Sequence, residues 1–87
     1  VGDEERDDAA NMLTAQQLGC IKEHMGDILS SREMLIICER FGLFGKSEKT
    51  QNEIAGELGI SRSYVSRIER KALDKLHTLL NNYGLLE

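Results

Sequence analysis

The chain has no proline and no tryptophan, and its 87 residues include only two tyrosines and two phenylalanines. With no proline to break helices, and with Leu, Ile, Glu, Lys and Arg common, an all-helical fold fits the composition best. Cysteine is also scarce. Cys20 and Cys38 stand far apart among apolar neighbours, which favours two buried thiols in a reducing compartment over a disulfide framework. His24 and His77 form no ligand cluster with them, so no metal site is expected. No apolar run approaches the roughly 20 residues that span a bilayer, and no signal peptide is visible. The expectation is a cytoplasmic chain with no membrane association. An activated nucleophile, a phosphate loop and a catalytic carboxylate pair are likewise missing, so neither an enzyme nor a cofactor is expected.

Charge is present but unevenly placed. Asp3, Glu4, Glu5, Asp7 and Asp8, opposed by Arg6, account for the whole formal charge of −4, and everything from Ala9 onward is neutral. Residues 1–11 read as an acidic flexible segment or linker, 12–83 as the helical domain, and 84–87 as a tail. The lack of an initiator Met suggests an excised piece, with Leu86-Glu87 a candidate scar. At this length the domain has one modest core.

The organising stretch is Thr50 to Leu76. Thr50 and Glu53 form a capping-box signature, so a helix begins near Gln51, with Ile54, Ala55 and Leu58 on one face. Gly59 supplies the positive φ that ends it, Ile60 plugs the turn, and Ser61 caps a second helix. That helix carries an inward stripe of Val65, Ile68, Ala72, Leu73 and Leu76. A helix-turn-helix results, spanning residues 50–76. Opposite the stripe lie Ser63, Ser66, Arg67, Arg70 and Asp74, with Lys71 on the flank and Arg62 at the leading end. Arg bonds bidentately to guanine, and short serines let a helix sit deep in the major groove, so this face reads as a DNA-reading surface. Glu69 alone breaks the pattern, projecting within about 40° of the stripe's centre. A buried carboxylate needs a partner, and an ion pair with Arg40 is expected.

Upstream, Ser30 and Glu33 repeat the capping signature before a helix carrying Met34, Leu35, Ile37, Cys38 and Phe41 and ending at Gly42. So wide an apolar surface predicts burial on two sides and marks it as the central core helix. Leu13 to Leu29 predicts a further helix on Leu18, Ile21, Met25, Ile28 and Leu29, weakened by Gly19 and Gly26. The reading helix is expected to continue through Leu80 to Asn82. In the loop, Lys46 and Lys49 are candidate phosphate contacts.

The run G-I-S-R-S-Y-V-S-R-I-E-R-K-A-L-D-K-L resembles the promoter-reading end of region 4 in bacterial sigma factors of RNA polymerase, closest in wording to the sporulation-type branch. S-R-E-M-L-I-I-C-E-R-F-G-L resembles the first half of the same region, and the two cover more than half the chain. The resemblance implies a four-helix fold whose helix-turn-helix binds the minus-35 promoter element in double-stranded DNA, while an apolar surface grips the β-flap of the polymerase core. It implies base reading by Arg62, Ser63 and Arg67. Lys46, Lys49, Thr50, Tyr64, Ser66, Arg70 and Lys71 would lie at the phosphates or flank the reading residues. An anti-sigma factor is a further implied class of partner. The housekeeping branch usually carries an acidic residue where Ser63 stands and Gln where Arg67 stands, so the target hexamer should differ. Rival readings are the output domain of a response-regulator type of transcriptional regulator and a module that chiefly binds protein. With no heptad seam, a monomer is expected.

Overall fold

The computed structural model describes residues 13–86, so the acidic segment expected over 1–11 lies outside the described residues. Four helices follow in order: α1 Ala15–Ile28, α2 Ser31–Phe41, α3 Gln51–Leu58 and α4 Arg62–Asn82. No strand occurs among the described residues, in line with the all-α expectation.

Local chemistry sets the helix boundaries. At α2 the Ser30 hydroxyl accepts the Glu33 N–H at 3.2 Å while Glu33 Oε1 accepts the Ser30 N–H at 2.8 Å. At α3, Thr50 and Glu53 make the same exchange at 3.1 and 2.9 Å. A third capping box opens α1, where Thr14 and Gln17 exchange hydrogen bonds at 3.0 Å each. The helix therefore starts at Ala15, not at Leu13. Each such cap is worth about 0.5–2 kcal/mol against alanine. Gly42 ends α2 at φ 66, and a Cβ there would lie 3.1 Å from the Lys46 carbonyl oxygen and 3.3 Å from the Glu48 nitrogen. Both the left-handed backbone and the close approach demand glycine.

Packing forms two apolar clusters. Ile36 of α2 joins Ile54 and Ala55 of α3 and Val65 of α4, with Leu58, Ile60 and Ile68 against them. Ile37 and Cys38, the next residues of α2, belong to a larger cluster with Ile21 and Met25 of α1 and Ala72, Leu76, Leu79 and Leu80 of α4. The two-sided burial expected of α2 is therefore present. The central element is nevertheless α4, on which α1, α2 and α3 all pack. Its length explains this: the inward stripe runs on past the reading segment, and α1 is carried on that extension.

Residues 84–86, in a tail whose placement the sequence leaves open, fold back onto this core. Gly84 takes φ 69, Leu85 and Leu86 pack on the larger cluster, and Gln17 Nε2 donates to the Leu85 carbonyl at 2.8 Å. The rings of His24 and Tyr83 stack alongside with centroids 4.9 Å apart.

Candidate nucleic-acid interface

The turn between α3 and α4 aims the reading helix. Gly59 turns the chain at φ 69, and Ile60 N–H bonds the Ala55 carbonyl at 3.1 Å. Ile60 packs on the small cluster, and the Ser61 hydroxyl caps α4 by accepting the Tyr64 N–H at 3.1 Å. Val65, Glu69, Ala72 and Leu76 then face inward. Ser63, Tyr64, Arg67, Arg70 and Lys71 are exposed away from that stripe, Arg62 is exposed at the leading end of the helix, and Ser66 is only half-exposed.

A buried polar cluster holds that face at a fixed angle. Arg40 Nε donates to Glu69 Oε1 at 3.2 Å, as the helix wheel predicts, and Gln51 Nε2 donates to the same oxygen at 2.7 Å. Arg40 Nη1 also donates to the Lys49 carbonyl at 3.2 Å. One carboxylate thus joins the end of α2, the start of α3 and the reading helix, and both ionised residues are about 5% exposed. Buried charges are tolerated only when so partnered. Gln51, the third member, is a site residue that sequence reasoning missed, because a polar residue at a helix start gives no apolar signal.

A second ion pair crosses between the same two helices with reversed polarity. Glu33 Oε1, already bonded to the Ser30 N–H, accepts Lys75 Nζ at 2.8 Å. The Lys75 hydrogen bond outweighs burial and holds the Glu33 carboxyl below its ordinary value. On α2 a carboxylate comes first and a guanidinium last; on α4 a carboxylate comes first and an ammonium last. A slip of one turn, about 5.4 Å, would separate both pairs, so their spacing encodes the register of the reading helix.

The lysines divide in the same way. Lys49 Nζ bonds Glu57 Oε2 at 2.7 Å and approaches Glu39 Oε1 at 3.5 Å, and these partners raise its pKa, Glu57 most of all. Lys46 is exposed. Thr50 is half-buried, its hydroxyl oxygen committed to the α3 cap. Arg62, Arg67, Arg70 and Lys71 make no hydrogen bond or ion pair among the described residues. Tyr64, Arg67, Ile68 and Lys71 border a shallow cavity of about 300 Å³ with Ser30, Arg32 and Glu33. Arg32, exposed in the first turn of α2, therefore belongs beside the reading face. Its neighbourhood is invisible in sequence because α2 and α4 meet only in the fold.

A different cavity, of about 320 Å³, opens on the larger cluster among Leu18 and Ile21 of α1, Ile37 and Phe41 of α2, and Leu73 and Leu76 of α4. No group of His, Cys, Asp and Glu side chains suited to a metal occurs among the described residues. No helix among them is long and apolar enough to cross a membrane.

Comparison with known proteins agrees with this geometry. The family described as Sigma-70, region 4 matches residues 27–78. The RNA polymerase sigma-28 factor of Bacillus thuringiensis subsp. kurstaki is 53% identical over 73 residues, which cover 83% of this chain and 30% of that protein. The RNA polymerase sigma-K factor of Bacillus subtilis (strain 168) is 60% identical over 60 residues, 69% of this chain and 20% of that protein. The RNA polymerase sigma-E factor of Clostridium acetobutylicum is 47% identical over 53 residues, 61% of this chain and 23% of that protein. The chain thus spans under a third of the length of these relatives. No solved structure matched it significantly. The response-regulator reading is set aside by these matches. A helix-turn-helix with a free basic face, inside the residues matched by the family, leads to one assignment: the chain belongs to the sigma-70 family, as its region 4.

Proposed function

We propose that α4 reads the minus-35 element in the major groove, with Arg62, Ser63 and Arg67 at base edges. Tyr64, Ser66, Arg70, Lys71, Lys46 and Arg32 lie at the phosphates or flank the reading residues. One observation carries the reading. The fold commits Arg40, Lys49 and Lys75 to internal partners and leaves the cations of the reading face with none among the described residues. Unpaired, clustered arginines and lysines on a helix-turn-helix are what a phosphate backbone and guanine edges require. Lys49 contributes less than its sequence position suggests, since its ammonium is already shared by two carboxylates. Thr50 keeps only its hydroxyl proton for a flanking contact.

The second half of the function is attachment to RNA polymerase. The cavity bordered by Leu18, Ile21, Phe41 and Leu73 suits the apolar face of a short helix, and the β-flap of the polymerase core is the occupant this reading assigns to it. An anti-sigma factor would act by covering either surface. The domain works in the cytoplasm as a monomer.

The test is selection of bound duplexes from a random pool at low salt, in parallel for the chain and its Arg67→Gln variant. A short motif should emerge, and the variant should exchange guanine for adenine at one position. Recovery of no motif, with binding to a β-flap peptide retained, would reduce the domain to a polymerase adaptor.

A further inference from the structure

The loop after α2 turns on a residue that its backbone does not suit. Phe44 and Gly45 both take positive φ, 55 and 83, and the Lys46 N–H closes the turn on the Leu43 carbonyl at 3.2 Å. Positive φ at both central positions is the pattern of a type I′ turn, whose first central place favours Asn, Asp or Gly. Phe44 is the one non-glycine at positive φ among the described residues, and a Cβ in that region crowds its own backbone. Burial of the ring does not offset the strain. Phe44 is 55% exposed and, unlike the exposed Tyr64 and Tyr83, its side chain has no polar atom to present to water.

The turn is nevertheless tied down on both sides. After it, the Lys49 N–H bonds the Glu39 carbonyl at 2.8 Å, and Arg40 Nη1 donates to the Lys49 carbonyl at 3.2 Å. Before it, the Leu43 N–H bonds the Cys38 carbonyl at 2.9 Å, and Leu43 is buried in the larger cluster. Leu43 and Phe41 also border the apolar cavity of about 320 Å³. The Cα of Phe44 lies one step from that wall, about 3.8 Å. An aromatic ring is thus kept in water, beside an apolar cavity, on a backbone that cannot relax.

We infer that the Phe44 ring is a preformed anchor for the apolar helical segment received by that cavity, and covers a flank of the segment that the cavity itself does not enclose. The anchor role rests on the proposed attachment of the cavity to the β-flap. Strain held in place by the surrounding fold marks sites of contact, where it fixes a side chain before the partner arrives. A ring fixed in advance loses little freedom on binding, so its burial contributes to affinity almost undiminished. The chemistry of the occupant follows from the turn. Phe44 offers no charge or hydrogen bond to a phosphate, and its neighbours Phe41 and Leu43 already line the apolar wall.

The experiment titrates a β-flap peptide into the 87-residue chain and into Phe44→Gly, Phe44→Tyr and Leu73→Ala, with urea unfolding of each. Phe44→Gly removes the ring and the backbone strain together. Its peptide affinity should fall at least about tenfold while its urea midpoint does not fall. Phe44→Tyr keeps the ring and should bind within about threefold of the chain. A lower midpoint for Phe44→Gly would make the ring part of the fold, and an unchanged peptide affinity would remove it from the interface; either result overturns the anchor role. Duplex affinity should be the same for Phe44→Gly and the chain, and a loss there with peptide capture intact would overturn the anchor role in favour of a DNA contact. If Leu73→Ala abolishes capture and Phe44→Gly leaves it intact, the cavity keeps its occupant and the anchor alone fails. If the unaltered chain captures no peptide, anchor and attachment fall together.

Discussion

The two halves of this domain are built by different rules. Around the reading helix, Ile36, Ile54, Ala55 and Val65 form a small apolar cluster, and Arg40, Gln51 and Glu69 of the same three helices form a polar one in which both donors share one carboxylate oxygen. Around α1 and the far end of α4 the core is larger and apolar, and it leaves a cavity of about 320 Å³. Hydrogen bonds are directional and apolar contacts are not. Directional bonds thus hold the helix proposed to read DNA, and the cavity proposed to receive a partner segment is walled by apolar side chains.

That contrast is broken most severely at Glu69. Replacing it with Ala removes the buried carboxylate oxygen that Arg40 and Gln51 share, an expected loss of about 3–5 kcal/mol. Urea unfolding measures it. A stable Arg40→Met variant alongside a crippled Glu69→Gln variant would show that the pair is not what holds α2 to α4.

Next comes truncation inside each cluster. Ile54→Ala, at a fully buried position, should cost about 2–5 kcal/mol. Leu73→Ala, half-buried at the cavity wall, should cost distinctly less stability yet abolish capture of a β-flap peptide. Equal losses of stability at the two positions would erase the distinction between the halves.

A smaller effect follows from the second ion pair. The Lys75 hydrogen bond holds the Glu33 carboxyl below its ordinary value in the fold. A carboxylate with a depressed folded pKa binds fewer protons than in the unfolded chain, so its contribution is present above about pH 4.5 and lost as pH falls through the folded value. The gap in urea midpoint between the chain and Glu33→Gln should therefore be widest at pH 7 and narrow as pH falls through the folded value. A gap that does not narrow in acid would mean that the Ser30 cap, not Lys75, supplies the difference. The smallest effect is expected at Lys49→Ala. Its pairs with Glu57 and Glu39 lie at the surface, and the urea midpoint should not move measurably.

Much of this was legible in the residues because much of it is local. The capping boxes at Ser30 and Thr50 and the left-handed glycines at 42 and 59 follow from neighbours three or four positions apart. The Arg40–Glu69 pair was within reach because a misplaced carboxylate on an apolar face demands a cation. The Thr14–Gln17 box has the same spacing as the others, but Leu13 and two helix-weakening glycines obscured the start of α1. What stayed hidden lies between elements. Lys75 meets Glu33 across 42 residues of sequence, and Lys49 meets Glu57 only because the loop returns against α3. For that reason a count of lysines near the motif could not separate those that hold the fold from those free to meet DNA. The promotion of α4 over α2 as the central helix has the same origin, since periodicity shows that a face is buried but not against what.

Internal pairing divides this domain's cations into those that hold the fold and those left exposed on the face proposed to read DNA. The salt dependence of duplex binding tests it directly, for the chain, for Lys71→Ala and for Lys75→Met. The chain should give a slope of about −4 to −5, Lys71→Ala a slope shallower by about one, and Lys75→Met an unchanged slope. An unchanged slope for Lys71→Ala together with a shallower one for Lys75→Met would place the DNA contact at Lys75 and not at Lys71.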